Sequence, residues 1–335
     1  MRPARLIINK LMTTITSKDH RIQVAFAFAL VYVLWGSTYL AMRIAVVQIP
    51  PFAMGAVRYL VAGPVMLAWC AWSGRRIRLT AQDFRRLLAI GALLLMIGNM
   101  GVAWSEVYVP SSLAALVVAA VPIWVVIIQT WILRNTRLSL MGLAGMVLGV
   151  AGMVVLLWPR IMTRTPLGRL ELFGVGLLLV GSMGWALGSV LGGRWSLSVD
   201  VFASSAWQMT IGGGLLALIA LATGQFRHAH WSMQATAWIF YLVICGSWIG
   251  YSAYNWLLEH VPTAKVATYA YVNPVVALYL GWFFLNEKID GFMLTGTVVI
   301  IAAVAIVNAS RLKSVRKEEA PLSEPSLPLV EAAGD

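Results

Sequence analysis

Polar and aromatic side chains that could contact a small solute lie inside long apolar stretches of the sequence. The candidate substrate-binding residues are Trp35, Ser37, Thr38, Arg58, Asn99, Trp104, Trp185, Asn255, Tyr271 and Asn273. Together they offer aromatic faces and hydrogen-bonding groups, a combination that suits an amphipathic metabolite such as an amino acid, or a planar drug-like molecule. Packing against lipid or at the membrane interface is the competing interpretation for most of the aromatic rings.

Few charged side chains lie within these stretches or at their ends. Arg43 and Arg58 either extend to the membrane surface, or one of them faces a cavity, where it would attract a carboxylate or phosphate of the solute. Lys265 is interpreted as an anchor at the membrane interface. Every acidic residue lies in a loop, in the tail or at the end of a stretch, and Glu106 is the best placed for proton coupling. We therefore expect either facilitated movement down a gradient or coupling through Glu106.

The residue types that serve catalysis and metal binding are not arranged for those roles. None of the four histidines lies in an apolar stretch, and no pair has the spacing of metal ligands on a helix. Cys70 and Cys245 are interpreted as buried free thiols. The sequence contains no nucleophile elbow and no Walker motif. We predict no catalytic residue, no metal site and no cofactor, and we do not expect an enzyme.

Two prolines, Pro122 and Pro274, fall near the centres of predicted helices. Because proline has no amide hydrogen, the carbonyls of Val118 and Ala270 lose their helical partners. Freed backbone groups at membrane depth are tolerated only where protein or water satisfies them. Both prolines are therefore predicted hinges, which either shape helix packing or place a bend beside the solute.

The composition is that of an integral membrane protein. Of the 335 residues, 60% are hydrophobic and 11% are charged, whereas soluble domains have about 45–50% and about 25%. A lipid-facing surface avoids charge, because an unpaired charge in hydrocarbon costs at least ~2.5–3.5 kcal/mol. The net charge of +12 comes from basic residues between the apolar stretches, so nucleic acid is not an expected partner.

An all-α fold of ten transmembrane helices is predicted from the length of the apolar stretches. The predicted spans are Gln23–Val46, Phe52–Trp72, Leu87–Tyr108, Ser111–Leu133, Leu138–Trp158, Leu170–Leu191, Val201–Thr223, Ala235–Leu257, Thr263–Leu285 and Gly291–Ala309. Residues 1–22 form a predicted cytoplasmic segment, 159–169 a connecting loop and 310–335 a disordered cytoplasmic tail. Lys and Arg are concentrated in the segments on the N-terminal side of the membrane, so both termini are predicted to be cytoplasmic.

Landmark residues of the first half recur in the second half at a nearly constant offset of about 150 residues. Trp35, Phe52 and Gly63 recur as Trp185, Phe202 and Gly213; Gly98, Trp104, Pro110 and Pro122 recur as Gly250, Trp256, Pro262 and Pro274; and Gly145 recurs as Gly296. Residues 23–158 and 170–309 are therefore predicted to be two copies of a five-helix unit. An odd number of crossings inverts the second copy and places a substrate site between the halves. Inversion also predicts that the loops at Gly74 and Trp195 lie on the same side of the membrane.

Several motifs resemble those of one family of membrane proteins. Trp35-Gly36-Ser37-Thr38 with Arg43, Pro50-Pro51-Phe52 and Arg58-Tyr59 resembles the opening of the EamA-type permeases of the drug/metabolite transporter superfamily. Val109 to Leu116 resembles the start of their fourth helix, and Tyr271 to Val275 with Asn286-Glu287-Lys288 resembles their ninth helix and the following turn. The family usually has a glutamate after the fourth helix, where Asn135-Thr136 stands in this sequence. The resemblance implies a permease of the inner (plasma) membrane and indicates no particular substrate.

The expected function is transport of a small metabolite or drug-like solute by alternating access, with export as one of two directions left open. A channel-like facilitator is the alternative, and a polytopic membrane enzyme is a more remote one. Saturable flux and counterflow distinguish a carrier from a channel. Two GxxxG pairs, Gly145/Gly149 and Gly184/Gly188, indicate close packing inside the bundle or dimerisation through the fifth helix. The expected partners are the solute, the lipid bilayer and at most a second copy of the chain.

Overall fold

The structure, a computed structural model, describes residues 2–109, 114, 117–133, 136–137, 139–162, 168–285, 290–310 and 313–314. Its main helices are α1 (Arg2–Val46), α2 (Pro51–Trp72), α3 (Ala81–Ser105), α4 (Val121–Ile132), α5 (Leu140–Met162), α6 (Arg169–Gly192), α7 (Val201–Ala222), α8 (Met233–His260), α9 (Tyr269–Leu285) and α10 (Gly291–Ala309). A short helix, Thr263–Val266, precedes α9, and a 3-10 turn spans Gln225–His228. Two-residue strands, Thr136–Arg137 and Lys313–Ser314, pair antiparallel.

Parts of several predicted features lie outside the described residues. They are the start of the predicted fourth helix, the motif Asn286-Glu287-Lys288, the middle of the connecting loop 159–169 and most of the tail 310–335. At the other end of the chain, α1 begins at Arg2 rather than at the predicted Gln23. Its apolar part, which is long enough to cross a membrane, is Asp19–Val46.

Eight helices of the described residues are long and apolar enough to cross a membrane, namely α1, α2, α3, α5, α6, α7, α8 and α10. The described parts of α4 and α9 are shorter. Large apolar side chains cover the outside of the bundle; Leu218 and Val298 are each 66% exposed and Phe240 is 63% exposed. Such a surface is stable against hydrocarbon and not against water. The chain is therefore a multi-pass membrane protein.

Helices α3 and α8 each contain a π-helical segment, at Ala92–Asn99 and Leu242–Tyr251 respectively. The two segments occupy equivalent positions in the sequence repeat, since Gly98 and Gly250 correspond. A π-helical turn holds an extra residue and redirects the side chains around it, which is common at functional sites. Both segments form walls of the cavity described below.

Helices of the two halves cross with their backbones in close contact. A Cβ atom on Gly63 of α2 would lie 2.5 Å from the amide nitrogen of Thr210 on α7. A Cβ atom on Gly213 of α7 would lie 2.9 Å from the amide nitrogen of Leu60 on α2. Because hydrophobic association is weak between helices in lipid, such small-residue crossings hold membrane bundles together.

The glycines of both GxxxG pairs face helices inside the bundle. A Cβ atom on Gly145 would lie 2.8 Å from Val307 of α10, and one on Gly184 would lie 2.6 Å from Ile97 of α3. Cβ atoms on Gly149 and Gly188 would also lie within 3 Å of side chains of the same molecule. All four glycines therefore serve close packing within one chain.

Contacts between loops tie the two halves together at both ends of the bundle. The carbonyl oxygen of Gln48 accepts a hydrogen bond of 2.9 Å from the amide of His230, which joins the α1–α2 connection to the α7–α8 connection. At the far end of α2, Arg75 and Asp200 form a salt bridge of 3.0 Å, which joins the α2–α3 connection to the α6–α7 connection. The loops that follow α2 and α6 therefore lie at the same end.

Asp200 also caps the N-terminus of α7. Its Oδ1 atom accepts hydrogen bonds from the amides of Phe202 and Ala203, and its Oδ2 atom accepts one from Arg75. Burial acts to raise the pKa of Asp200, but the hydrogen bonds from Ala203 and Arg75 outweigh it, so this pKa lies below its usual value. The ionised carboxylate is thus the form that the folded protein favours.

Candidate solute-binding cavity

A cavity lies between α1, α2, α3 and α4 of the first half and α6, α8 and α9 of the second half. The candidate residues that line it are Trp35, Thr38, Arg58, Asn99, Trp185 and Asn273. The space open to the centres of water molecules is about 60 Å³. That volume holds a few water molecules in this conformation, so a metabolite needs the walls to move apart.

Trp35, Trp185 and Tyr269 form one wall of the cavity, and their rings pack with that of Tyr254 into an aromatic cluster. The centroid of the Trp35 ring lies 5.4 Å from that of Trp185, 4.8 Å from that of Tyr254 and 5.1 Å from that of Tyr269. The Nε1–H group of Trp35 donates to the carbonyl oxygen of Gly246 at 3.1 Å, and that of Trp185 donates to the hydroxyl of Tyr254 at 3.1 Å. Rings that pack edge-on or tilted in this way present an apolar surface to a planar or aliphatic group.

The two tryptophans occupy equivalent positions against the π-helical segments of the opposite halves. A Cβ atom on Gly98 would lie 2.8 Å from the indole of Trp185, and one on Gly250 would lie 2.6 Å from the indole of Trp35. Only glycine allows the rings to approach the backbone so closely. The sequence offset between the halves thus reappears as a pair of matching contacts in space.

Arg58 is turned into the bundle rather than toward the membrane surface. Its side chain is buried, its Nε–H group donates to Ser247 Oγ at 2.9 Å, and its guanidinium carbon lies 4.9 Å from the centre of the Tyr59 ring. Among the described residues, no carboxylate forms a salt bridge with Arg58. A buried cation is costly without an anionic partner, and a guanidinium fork fits a carboxylate or phosphate. The cavity is therefore suited to an anionic group.

Two asparagines line the same cavity with unused acceptors. The Oδ1 atoms of Asn99 and Asn273 are buried and have no hydrogen-bond partner among the described residues. Most buried polar atoms have a partner, so such an atom needs an explanation. A solute or water molecule in the cavity that donates a hydrogen bond supplies one.

The second half has a neutral counterpart to Arg58. Gln208 stands at the equivalent position, where its Oε1 accepts from the hydroxyl of Tyr251 at 2.6 Å and its Nε2 donates to Ser204 Oγ at 2.9 Å. Both ends of this amide are satisfied within the protein. Among the described residues that line the cavity, the positive charge is thus confined to the first half.

Two of the candidate residues, Ser37 and Trp104, do not line the cavity and instead contact side chains of other helices. Ser37 Oγ shares a hydrogen bond with the hydroxyl of Tyr241 on α8. The Trp104 ring packs edge-on against Phe52, with 5.2 Å between the centroids. Both side chains join helices in this conformation.

Asn255 and Tyr271 also lie outside the cavity, in the interior of the bundle. The Nδ2 atom of Asn255 donates to Ser205 Oγ at 3.0 Å. The Tyr271 ring is fully buried, and its hydroxyl donates to the carbonyl oxygen of Met146 at 3.3 Å. The sequence could not separate these packing roles from cavity roles, because helical periodicity is lost where all faces are apolar.

The two predicted hinge prolines lie in different surroundings: a turn at Ala119 and Ala120 comes just before Pro122, whereas Pro274 lies inside a helix. Pro122 is in the first turn of α4, a position where a missing amide hydrogen costs nothing. Pro274 lies inside α9, whereas the chain turns earlier, at Ala267 and Thr268, between Thr263–Val266 and α9. The discontinuity next to the cavity in the second half is therefore this turn.

Glu106 follows the end of α3 and does not line the cavity. Both of its carboxylate oxygens are buried and have no hydrogen-bond partner among the described residues. Glu106 is thus a buried acidic group that is not part of the cavity lining.

Several cavity residues were missed at the sequence level. They are Tyr39, Tyr59, Ser182, Tyr251 and Tyr269. One signal was available: Tyr251 occupies the position in the second half that Asn99 occupies in the first, directly after the paired glycines Gly250 and Gly98. The repeat therefore carried more information about the site than residue type alone.

Comparison with known proteins gives consistent matches over most of the chain. The model of the EamA-like transporter family matches residues 23–158 and again residues 172–309. The chain is 35% identical to YedA of Escherichia coli K12, named as an uncharacterized inner membrane transporter, over 85% of this chain and 90% of that protein. It is 22% identical to the transporter YoaV of Bacillus subtilis, over 84% and 96% of the two chains. A crystal structure of a protein with 20% identity matches with a TM-score of 0.69, covering 84% of this chain and 95% of that one, which shows a shared fold.

Proposed function

The chain belongs to the EamA-like transporter family and is a multi-pass inner membrane transporter, and we propose that it carries a small amphipathic solute with a carboxylate or phosphate group. An amino acid or a related metabolite has this chemistry. The observation that carries the proposal is the buried guanidinium of Arg58, which lines a cavity built by both halves and has no carboxylate partner among the described residues. The solute would supply the missing anion.

The proposed architecture is ten spans in two inverted repeats, with α4 and α9 completing the count. Three features support it. The family model matches the chain twice, and the loops that follow α2 and α6 meet through Arg75 and Asp200, as inversion requires. His20 of α1 and Asn308 of α10 also line one groove, so the first span starts where the last one ends. The excess of basic residues at that end favours cytoplasmic termini.

The proposed mechanism is alternating access. In this conformation the cavity is too small for a metabolite, so a solute must enter when the two halves separate at one end and leave when they separate at the other. Arg58 would bind the anionic group, the aromatic cluster would hold the apolar part, and Asn99 and Asn273 would accept hydrogen bonds. A channel would need a continuous open path instead.

Flux measurements on purified protein in liposomes test the proposal. Uptake of amino acids and organic acids should saturate and show counterflow, whereas linear flux without counterflow would indicate a channel. Arg58→Gln should reduce transport of anionic solutes by about 10- to 100-fold, the value of a charge-assisted contact. Arg194→Gln removes an exposed arginine and is the matched control. If Arg58→Gln and Arg194→Gln transport anionic solutes equally well, Arg58 is not the anion site.

Glu106 is proposed to couple transport to protons. Its buried oxygens lack partners, and a carboxylate that binds and releases a proton is a usual carrier in coupled transporters. Glu106→Gln should abolish the dependence of uptake on an imposed pH gradient, while Glu259→Gln, at the exposed end of α8, should leave it intact. An unchanged dependence in Glu106→Gln leaves facilitated movement down a gradient as the mechanism.

A further inference from the structure

We propose that a groove between α1, the short helix before α9 and α10 binds one anionic phospholipid. The groove lies apart from the central cavity, and its open volume of about 560 Å³ compares with about 60 Å³ for that cavity. Its walls come from the beginning of the first span and the end of the last one. The inference does not depend on the identity of the transported solute.

The mouth of the groove is basic. His20, Arg21 and Lys265 line it together. Among the described residues, the Nζ atom of Lys265 donates one hydrogen bond, of 2.5 Å, to the carbonyl oxygen of Asn308, and the other two of its three protons can serve a ligand. Basic pockets between helices at the membrane surface recognise the phosphate of anionic lipids.

Below the mouth the groove is apolar and runs into the membrane. Val24, Phe28 and Tyr32 follow Arg21 on the same face of α1, and Val304 of α10 lies opposite. From Arg21 to Tyr32 the helix rises by roughly 16 Å at 1.5 Å per residue, about half of a hydrocarbon core of ~30 Å. A charged headgroup above an apolar wall of this depth matches a phospholipid with one acyl chain in the groove.

The acidic tail of the chain is the main competing occupant. Residues 315–335 include Glu318, Glu319 and Glu324, whose carboxylates could meet the basic mouth. They do not match the apolar wall below it, because carboxylates are costly at that depth. The length of that wall therefore favours a lipid.

Native mass spectrometry of the purified full-length protein tests the proposal. The protein is mixed with phosphatidylglycerol, with phosphatidylcholine of the same acyl chains, or with glycerol phosphate alone. We expect one retained phosphatidylglycerol, with phosphatidylcholine and glycerol phosphate held much more weakly. Each basic residue near an anionic lipid raises affinity about fivefold, so the double variant Arg21→Gln/Lys265→Gln should bind phosphatidylglycerol about thirtyfold more weakly. The matched control is Arg76→Gln/Arg78→Gln, which removes two exposed charges elsewhere.

Three results would overturn the proposal. Equal losses in the two double variants would mean a non-specific charge effect, and equal retention of the two lipids would mean that the basic mouth plays no part. Binding of phosphatidylglycerol only after Glu318, Glu319 and Glu324 are changed to Gln would assign the groove to the tail. If Arg21→Gln/Lys265→Gln does not fold, Arg21→Glu alone, at an exposed position, should still weaken binding of phosphatidylglycerol by at least fivefold.

Discussion

Two adjacent glycines on α7 allow the packing of the two halves to be tested within a single helix turn. A Cβ atom on Gly213 would lie 2.9 Å from the amide nitrogen of Leu60 and 3.0 Å from the carbonyl carbon of Tyr59, both backbone atoms of α2. Apart from its own helix, a Cβ atom on Gly214 would have no atom of the described residues within 4 Å. Gly213→Ala and Gly214→Ala therefore make the same chemical change in opposite surroundings.

The expected stabilities follow from these distances. Ordinary carbon contacts are ~3.5–4.0 Å, so Gly213→Ala must push α2 away from α7 by about 0.5–1 Å. Overpacking of this kind costs about 1–3 kcal/mol, while alanine in a helix recovers up to about 1 kcal/mol relative to glycine. We expect a net loss of about 1–2 kcal/mol, or roughly 1.5–3 °C in Tm for a chain of 335 residues. Gly214→Ala should leave Tm unchanged or raise it slightly.

Thermal unfolding in detergent, followed by loss of monodisperse protein on size exclusion, gives both Tm values. Transport gives a second measurement, because α2 also carries Arg58 and Tyr59 into the cavity. Gly213→Ala should lower transport of anionic solutes, and Gly214→Ala should not. Equal Tm values for the two variants would refute the close crossing of α2 and α7.

Three further outcomes are expected. Asp200→Asn keeps the helix cap but loses the salt bridge to Arg75, so it should lower Tm near neutral pH. Because the pKa of Asp200 is lowered on folding, the contribution of its carboxylate to stability is present above about pH 4 and is lost as the pH falls. The Tm values of the wild type and the variant should therefore converge at acidic pH. Trp35→Phe removes the donor to Gly246 and should cost about 1–3 kcal/mol together with much of the transport, whereas Trp69→Phe, on a ring that is 43% exposed, should cost less than 0.5 kcal/mol. Asn273→Leu should reduce transport more than stability, because its Oδ1 atom has no hydrogen-bond partner among the described residues.

The repeat was the part of the fold that the sequence predicted best. Trp35 and Trp185 each pack against a glycine of the opposite half. Such a contact restricts which residue type can stand at a position more strongly than exposure to lipid does. Helix lengths were harder to predict. The chain is apolar on both sides of Ala267 and Thr268, so hydropathy could not locate the turn that separates α9 from the preceding short helix. Hydrogen bonding of the backbone decides such a break, and composition does not record it.

The cavity was predicted in part for a related reason. Arg58 could be singled out because a charge within an apolar stretch needs a partner. Ser37 and Thr38 could not be distinguished, although only Thr38 lines the cavity, since adjacent residues on a helix point about 100° apart. Which of the two side chains faces the cavity depends on the orientation of α1 about its own axis as it packs against α8 and α9. That orientation is determined by tertiary contacts between the halves, and these contacts cannot be read from a single sequence.

The same contacts indicate where the transporter changes shape. Helices α2 and α7 cross backbone to backbone at Gly63 and Gly213, and packed crossings of this kind shift as units rather than deform. The α2–α7 crossing is thus the pivot about which the halves separate at either end. By contrast, the chain at Ala267 and Thr268 is a turn whose next residue, Tyr269, is part of the aromatic cluster. We expect solute to change hydrogen–deuterium exchange in residues 263–270 while exchange in α2 and α7 stays constant. Exchange that changes equally in all three segments would mean that the bundle rearranges as a whole, and the turn would then have no special part in opening the cavity.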